Sequence, residues 1–297
     1  MFQSMLEVGL RQTMQRLVSP MLNARIPIGL QRVLIRQAYR SSRPPRGCRF
    51  ESASYRDVPV SRVSHDVRGT GALIYFHGGG YVIGSASTHA GVAGHLAKGT
   101  GLEVIVPDYR LAPEHPYPAA LEDAQAVYLA LLDEGCSPTD IALAGDSAGG
   151  GLALALAMAL RDGGHPMPRS LCLFSPWTDL TNSQLYRPDC EPILNKGWID
   201  KSATLYAGSE SLTSPGVSPV YGDLSGLPPL LIQVGSQEIL LNDAQRLADR
   251  AQAHGVETVL EIYNDLWHVF QVHAGQLDRA TDALATASAH IRRGQTP

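Results

Sequence analysis

The segment Gly145-Asp146-Ser147-Ala148-Gly149 is the part of this chain best suited to covalent chemistry. An apolar run, Ile141–Ala144, precedes it and reads as a buried strand; an Ala/Leu-rich run follows and reads as a helix. Ser147 therefore falls on a sharp strand-to-helix turn, where flanking side chains would collide with neighbouring backbone and glycine is required. Its hydroxyl lies near the positive end of a helix, which favours developing negative charge. A second segment, His77-Gly78-Gly79-Gly80-Tyr81, directly follows the apolar run Ala72–Phe76. Three glycines alone are as readily a flexible turn. Next to a nucleophile they gain a chemical use, because serine attack turns a flat carbonyl into an oxyanion that needs converging backbone N–H groups. Gly79 and Gly80, with the N–H of Ala148, are the expected donors, each worth about 3–4 kcal/mol in the transition state. No Gly-Lys-Ser/Thr follows, so a phosphate-binding loop is disfavoured.

A serine hydroxyl is a poor nucleophile without a base. In hydrolases built on such a turn the chain order is nucleophile, acid, histidine, which leaves His254, His268, His273 and His290. His254 ends a helix and His290 lies late in the last one, so both read as surface residues. His268 lies in a loop just past an apolar run ending near Tyr263, and it is favoured over His273, five residues on. The acid should follow the run Leu230–Val234, which leads to Glu238 and Asp243. Asp243 has another use, since an acid in the first turn stabilises a helix. Glu238 has none, and it is the favoured partner of His268.

These residues need a scaffold. Short apolar runs read as strands at Ala72–Phe76, Glu103–Val106, Ile141–Ala144, Leu171–Phe174, Leu230–Val234 and Val256–Tyr263. Helical stretches alternate with them at about 88–99, 119–134, 148–162, 241–254 and 275–292. This alternation predicts an α/β fold, a largely parallel sheet with helices on both faces, and it puts each candidate just past the carboxyl end of a strand. Cys48 to Ser64 alternates as an antiparallel edge hairpin does. Two helical stretches, about 2–18 and 29–41, open the chain. Residues 1–45 are expected to form part of a helical cap, and 46–297 the catalytic domain. The strand-poor region Trp177–Pro228 supplies a second cap segment at about 185–222.

Composition narrows the function. A net charge of −4 argues against nucleic-acid binding. Residues 1–49 hold nine arginines and one acid, Glu7, leaving 15 basic against 27 acidic groups in the rest. The basic segment is thus expected to dock on an acidic body. No run is apolar enough to span a bilayer. Met1 to Pro20 lacks the features of a secretory signal, though its apolar residues at helical spacing leave a transit peptide or a membrane-surface helix open. Cys48, Cys136, Cys172 and Cys190 show no metal-binding spacing. Cys172 reads as an inert buried thiol, and a reducing cytoplasm as the setting.

Taken together, His77–Gly80, Gly145–Gly150, the run Asp108–Ala119 and Ser175-Pro176-Trp177-Thr178-Asp179-Leu180 resemble the bacterial hormone-sensitive lipase family of carboxylesterases, over about residues 47–293. The resemblance implies an α/β-hydrolase fold with an eight-stranded sheet and a helical cap, and no cofactor or metal. It further implies short- to medium-chain acyl esters as small-molecule substrates, an acyl-enzyme, and a homodimer through the last strand. Family members usually carry aspartate where this chain has Glu238. An amidase is less expected, since nothing is placed to protonate an amine. Plant gibberellin receptors resemble the same family but lack the catalytic histidine; here His268 is present.

Overall fold

A computed structural model describes residues 2–293 except 68, 70, 188 and 190. Cys190 and the last residues of the expected catalytic domain, 294–297, therefore lie outside the described residues. Eight strands form one sheet: β1 (Arg49–Tyr55), β2 (Val58–Ser64), β3 (Ala72–Phe76), β4 (Glu103–Pro107), β5 (Ile141–Asp146), β6 (Ser170–Phe174), β7 (Leu230–Gly235) and β8 (Thr258–Tyr263). Their order is β1-β2-β4-β3-β5-β6-β7-β8. The β1–β2 hairpin runs antiparallel at one edge, and every pair from β4 onward is parallel. The carboxyl ends of β3, β5, β6, β7 and β8 thus share one edge of the sheet.

Side chains alternate across the pleat, so a strand buried on both sides is apolar along most of its length. Leu73 and Tyr75 of β3 pack with α3 (Ala90–Thr100) and α8 (Asp278–Arg292), through Leu96, Leu284 and Ile291. Ile74 and Phe76 face α4 (Ala119–Asp133), α5 (Ala148–Asp162) and α7 (Leu241–Ala253), through Val127, Leu152 and Leu247. Every residue of β3, β5, β6 and β7 is buried.

The expected strands are present, with one start displaced. Val256 belongs to the turn that ends α7, its N–H donating to Ala251 O at 2.9 Å, and β8 begins only at Thr258. At the N-terminus the helix is α-helical over Phe2–Thr13 (α1), then loosens into a π turn over Met14–Val18. The second helix, α2, spans Ile28–Ala38, with a 3₁₀ turn after it.

Sequence patterning missed one helix, α6 (Lys196–Ala207), inside the strand-poor region. A signal was present: Asn195 caps it, its side-chain oxygen accepting from Trp198 N–H at 3.0 Å. Three side chains of this region hold the N-terminal segment. Trp198 Nε1 donates to Gln31 Oε1 at 2.7 Å, Asn195 Nδ2 to Leu22 O at 2.6 Å, and Lys201 Nζ to Ala24 O at 2.7 Å. The basic segment also pairs ionically with the body at Arg32–Glu114, 2.7 Å, while Arg16, Arg25 and Arg36 stay exposed.

Candidate active site

Ser147 sits between β5 and α5 at φ 52° and ψ −121°, a region that side chains other than glycine enter only under constraint. The constraint is visible. Its N–H donates to Phe174 O at 2.9 Å, and its carbonyl accepts from Trp177 N–H at 2.9 Å and Gly151 N–H at 3.1 Å. Any side chain on Gly149 would strike the carbonyl of Phe76, so the turn can press against β3 only with glycine there. Ala148 opens α5, and its N–H is one of the unpaired donors of the first turn.

The loop after β3 is held against this turn by Asp146. One oxygen, Oδ1, accepts from Gly78 N–H at 3.0 Å and from Tyr75 O–H at 2.6 Å; the other faces His89 Nε2 at 3.4 Å. Burial opposes a charge on Asp146, but His89 and the Tyr75 hydrogen bond hold its carboxyl below the usual range. His77 stacks on Tyr109 at 4.3 Å, and burial pushes its imidazole down to about 3, so it packs as a neutral ring. Tyr109, from the Asp108–Ala119 run, donates to His77 O at 2.6 Å. Gly79 has φ +123°, and a side chain there would meet the backbone of Ile83. The central Asp146 of the serine motif thus shapes the glycine loop, a link that no local pattern discloses.

His268 Nδ1 and Glu238 Oε2 lie 2.9 Å apart, both buried. The other carboxylate oxygen accepts from Ser175 O–H at 2.9 Å and from Gly235 N–H. Ser175 Oγ also accepts from Val269 N–H at 3.0 Å, which ties the histidine loop to the same carboxylate. Burial disfavours a charged His268, but the Glu238 bond and the charges of Glu238, Glu191 and Asp146 outweigh it and raise its pKa. With Nδ1 engaged by the acid, Nε2 is the ring nitrogen left to act on a substrate or on Ser147. Among the described residues no hydrogen bond joins Ser147 to His268; they line one cavity, and such bonds often tighten only when substrate is bound.

The competing residues have other partners. Asp243, buried in the first turn of α7, accepts from the N–H groups of Thr178 (3.2 Å) and Asp179 (3.0 Å), so it anchors the Ser175–Leu180 segment and does not touch His268. His273 is buried edge-on to Trp267, and burial lowers its imidazole to about 4. His254 pairs with Asp223 at 2.8 Å. His290 is a correction to the expected surface residue: it is buried, with Nε2 3.1 Å from Leu171 O near the amino end of β6. Helical periodicity points it inward, and the Leu171 carbonyl gives the ring a partner there.

Ser147, His268 and Gly78–Gly80 line one cavity of about 450 Å³ including its mouth. Leu22, Ile35 and Tyr39 from the N-terminal segment complete its wall with Ile193, Leu194 and Trp198. Among the described residues there is no cluster of three metal-ligating side chains and no helix long and apolar enough to cross a membrane.

A strained serine at a strand-to-helix turn, on a parallel sheet with an acid–histidine pair past its next strands, defines a class. Residues 73–272 match the family model described as the α/β hydrolase fold, and the chain belongs to that family. It lies on the bacterial hormone-sensitive lipase branch: a crystal structure of an esterase from that family superposes with a TM-score of 0.90 at 37% identity, covering 99% of this chain and 98% of the other. LipR of Mycobacterium tuberculosis is 41% identical over 271 residues, 90% of this chain and 88% of its own. An acetyl-hydrolase of Streptomyces hygroscopicus is 41% identical over 223 residues, 74% of this chain and 75% of its own.

Proposed function

We propose that the protein is a carboxylesterase acting on short- to medium-chain acyl esters, with Ser147, His268 and Glu238 as its catalytic triad. The observation that carries this reading is the Glu238–His268 bond at 2.9 Å, on the wall of a cavity that also exposes Ser147 and the glycine loop. In this mechanism His268 Nε2 takes the hydroxyl proton as Ser147 Oγ attacks the ester carbonyl. The N–H groups of Gly79, Gly80 and Ala148 receive the oxyanion. The imidazolium then protonates the departing alcohol, leaving an acyl-enzyme. Water, deprotonated by His268, attacks that acyl group and releases the acid and the serine. Protons and electron pairs balance without a cofactor.

Residues 1–45 and about 185–222 are read as the cap, since Leu22, Ile35, Ile193 and Trp198 close the cavity over Ser147. The apolar lining of this chamber suits an acyl chain. On the short- to medium-chain reading, activity on p-nitrophenyl esters from acetate to palmitate should peak at the short end; a maximum on emulsified long chains would overturn the substrate assignment.

A homodimer through β8 is the second element of the proposal. This strand ends the sheet and shows Val259 and Ile262 to solvent, 38% and 41% exposed, and among the described residues no further strand pairs with it. Light scattering should give twice the monomer mass, and Val259→Lys with Ile262→Lys should halve it. A cytoplasmic setting is in keeping with the unbridged thiols of Cys48, Cys136 and Cys172, the last buried and pushed well above its ordinary pKa.

A further inference from the structure

Behind the proposed triad lies a second carboxylate. Glu191 stands in the loop between β6 and α6. Its Oε1 accepts from Ile193 N–H at 2.8 Å, and its Oε2 accepts from Ile239 N–H at 3.0 Å. Ile193 and the adjoining Leu194 form part of the cavity wall, and Ile239 is the residue next to Glu238. The same loop grips Ile239 on its other side, where Tyr186 N–H donates to Ile239 O at 2.9 Å. One side chain therefore clasps the acid's loop and the pocket wall together through two backbone donors.

The charge on Glu191 matters as much as its bonds. Burial pushes its carboxyl up to about 7, with Glu238 adding to the push, while His268 and the two N–H groups act against it. Neutralising a buried carboxylate is the usual response where its charge has no use. Here the ionised form has two N–H donors and an imidazolium to stabilise. The charged groups acting on His268 are Glu238, Glu191 and Asp146, the last of them paired with His89.

We propose that Glu191 is a positioning residue: it fixes the loop of Glu238 against the acyl pocket through Ile239 and Ile193, and so holds the acid in place beside His268. This rests on the reading of Ser147, His268 and Glu238 as the triad. His268 accepts a proton only when neutral, so the acid limb of kcat/KM marks its protonation. Glu191 itself takes up a proton at about pH 7, so its charge acts on the upper part of that limb; removing it makes the imidazolium less favourable there and moves the limb to lower pH.

The test compares Glu191→Gln and Glu191→Asp with the wild type in kcat/KM for p-nitrophenyl butyrate between pH 5 and 9, alongside thermal melting and fluorophosphonate labelling. The Gln variant keeps the size but loses the charge and one of the two acceptors. Its acid limb should fall by roughly half to one pH unit, and kcat should drop roughly ten- to a hundredfold, the scale of a displaced catalytic group. The Asp variant is one methylene short but charged; its kcat should drop while its limb stays at the wild-type position. A Gln limb at the wild-type position, or an Asp limb shifted like that of Gln, overturns the proposal. So does loss of cooperative melting in both variants, which would make Glu191 a folding residue. Failure of the wild type to label at Ser147 would instead strike the triad, and this inference with it.

Discussion

Ser147→Ala should lower kcat on p-nitrophenyl butyrate by about 10⁵–10⁶-fold and abolish fluorophosphonate labelling, with little change in melting temperature. The size follows from what the hydroxyl does. Without it no acyl-enzyme forms, and only the N–H donors and the cavity remain, which elsewhere preserve about 10³–10⁴-fold over water. The fold should tolerate the change because Ser147 contributes its backbone to the turn: its N–H and carbonyl hold the bonds to Phe174, Trp177 and Gly151, and alanine keeps all three. A variant that still turns over ester at a comparable rate, or a wild type that resists the probe, would remove the enzyme reading. A binding protein on the same scaffold, like the plant receptors, would behave in that second way.

Glu238→Gln should cost about 10³–10⁴-fold in kcat, the magnitude seen when a triad acid becomes an amide. The reason lies in the surroundings of the carboxylate. Oε1 already accepts from Ser175 O–H and Gly235 N–H, so a glutamine must put its oxygen there and turn its NH₂ toward His268. Nδ1 must then accept, and the ring proton moves to Nε2, facing Ser147. The base is lost by tautomer, with the geometry intact. Asp243→Asn is the control. It perturbs the acceptor of Thr178 and Asp179 N–H and should lower the melting temperature while leaving labelling near the wild-type rate. Should Asp243→Asn abolish labelling and Glu238→Gln spare it, the assignment of the acid is reversed.

Sequence patterning located the sheet well because buried parallel strands must be apolar on both faces, and β3, β5, β6 and β7 have few other ways to be written. Ser147 was legible for a related reason: a strained turn demands glycines at fixed offsets. Glu238 and His268 were legible by position after β7 and β8, and Glu238 was favoured over Asp243 because an acid at the start of a helix has another use; which backbone amides each carboxylate reaches was not legible. Asp146 and Glu191 show the limit. Their partners are distant in the chain, from Tyr75 and Gly78 to Ile239, and a buried acid held by remote N–H groups leaves no periodic trace. His290 was misplaced because a histidine late in a helix looks exposed until the strand it faces is known. Helix α6 was overlooked because aromatic and polar residues obscure its apolar face, although Asn195 marked its start.

The links between α6 and the N-terminal segment have a consequence for how this enzyme can diversify. Asn195 and Lys201 grip the carbonyl oxygens of Leu22 and Ala24, which are main-chain atoms that every residue type presents. Those attachments do not read the side chains at positions 22 and 24. Leu22 faces the chamber over Ser147, so its side chain can be exchanged while its carbonyl stays bonded. A substitution at Leu22 can therefore reshape the chamber wall while the main-chain bonds that hold the segment in place persist.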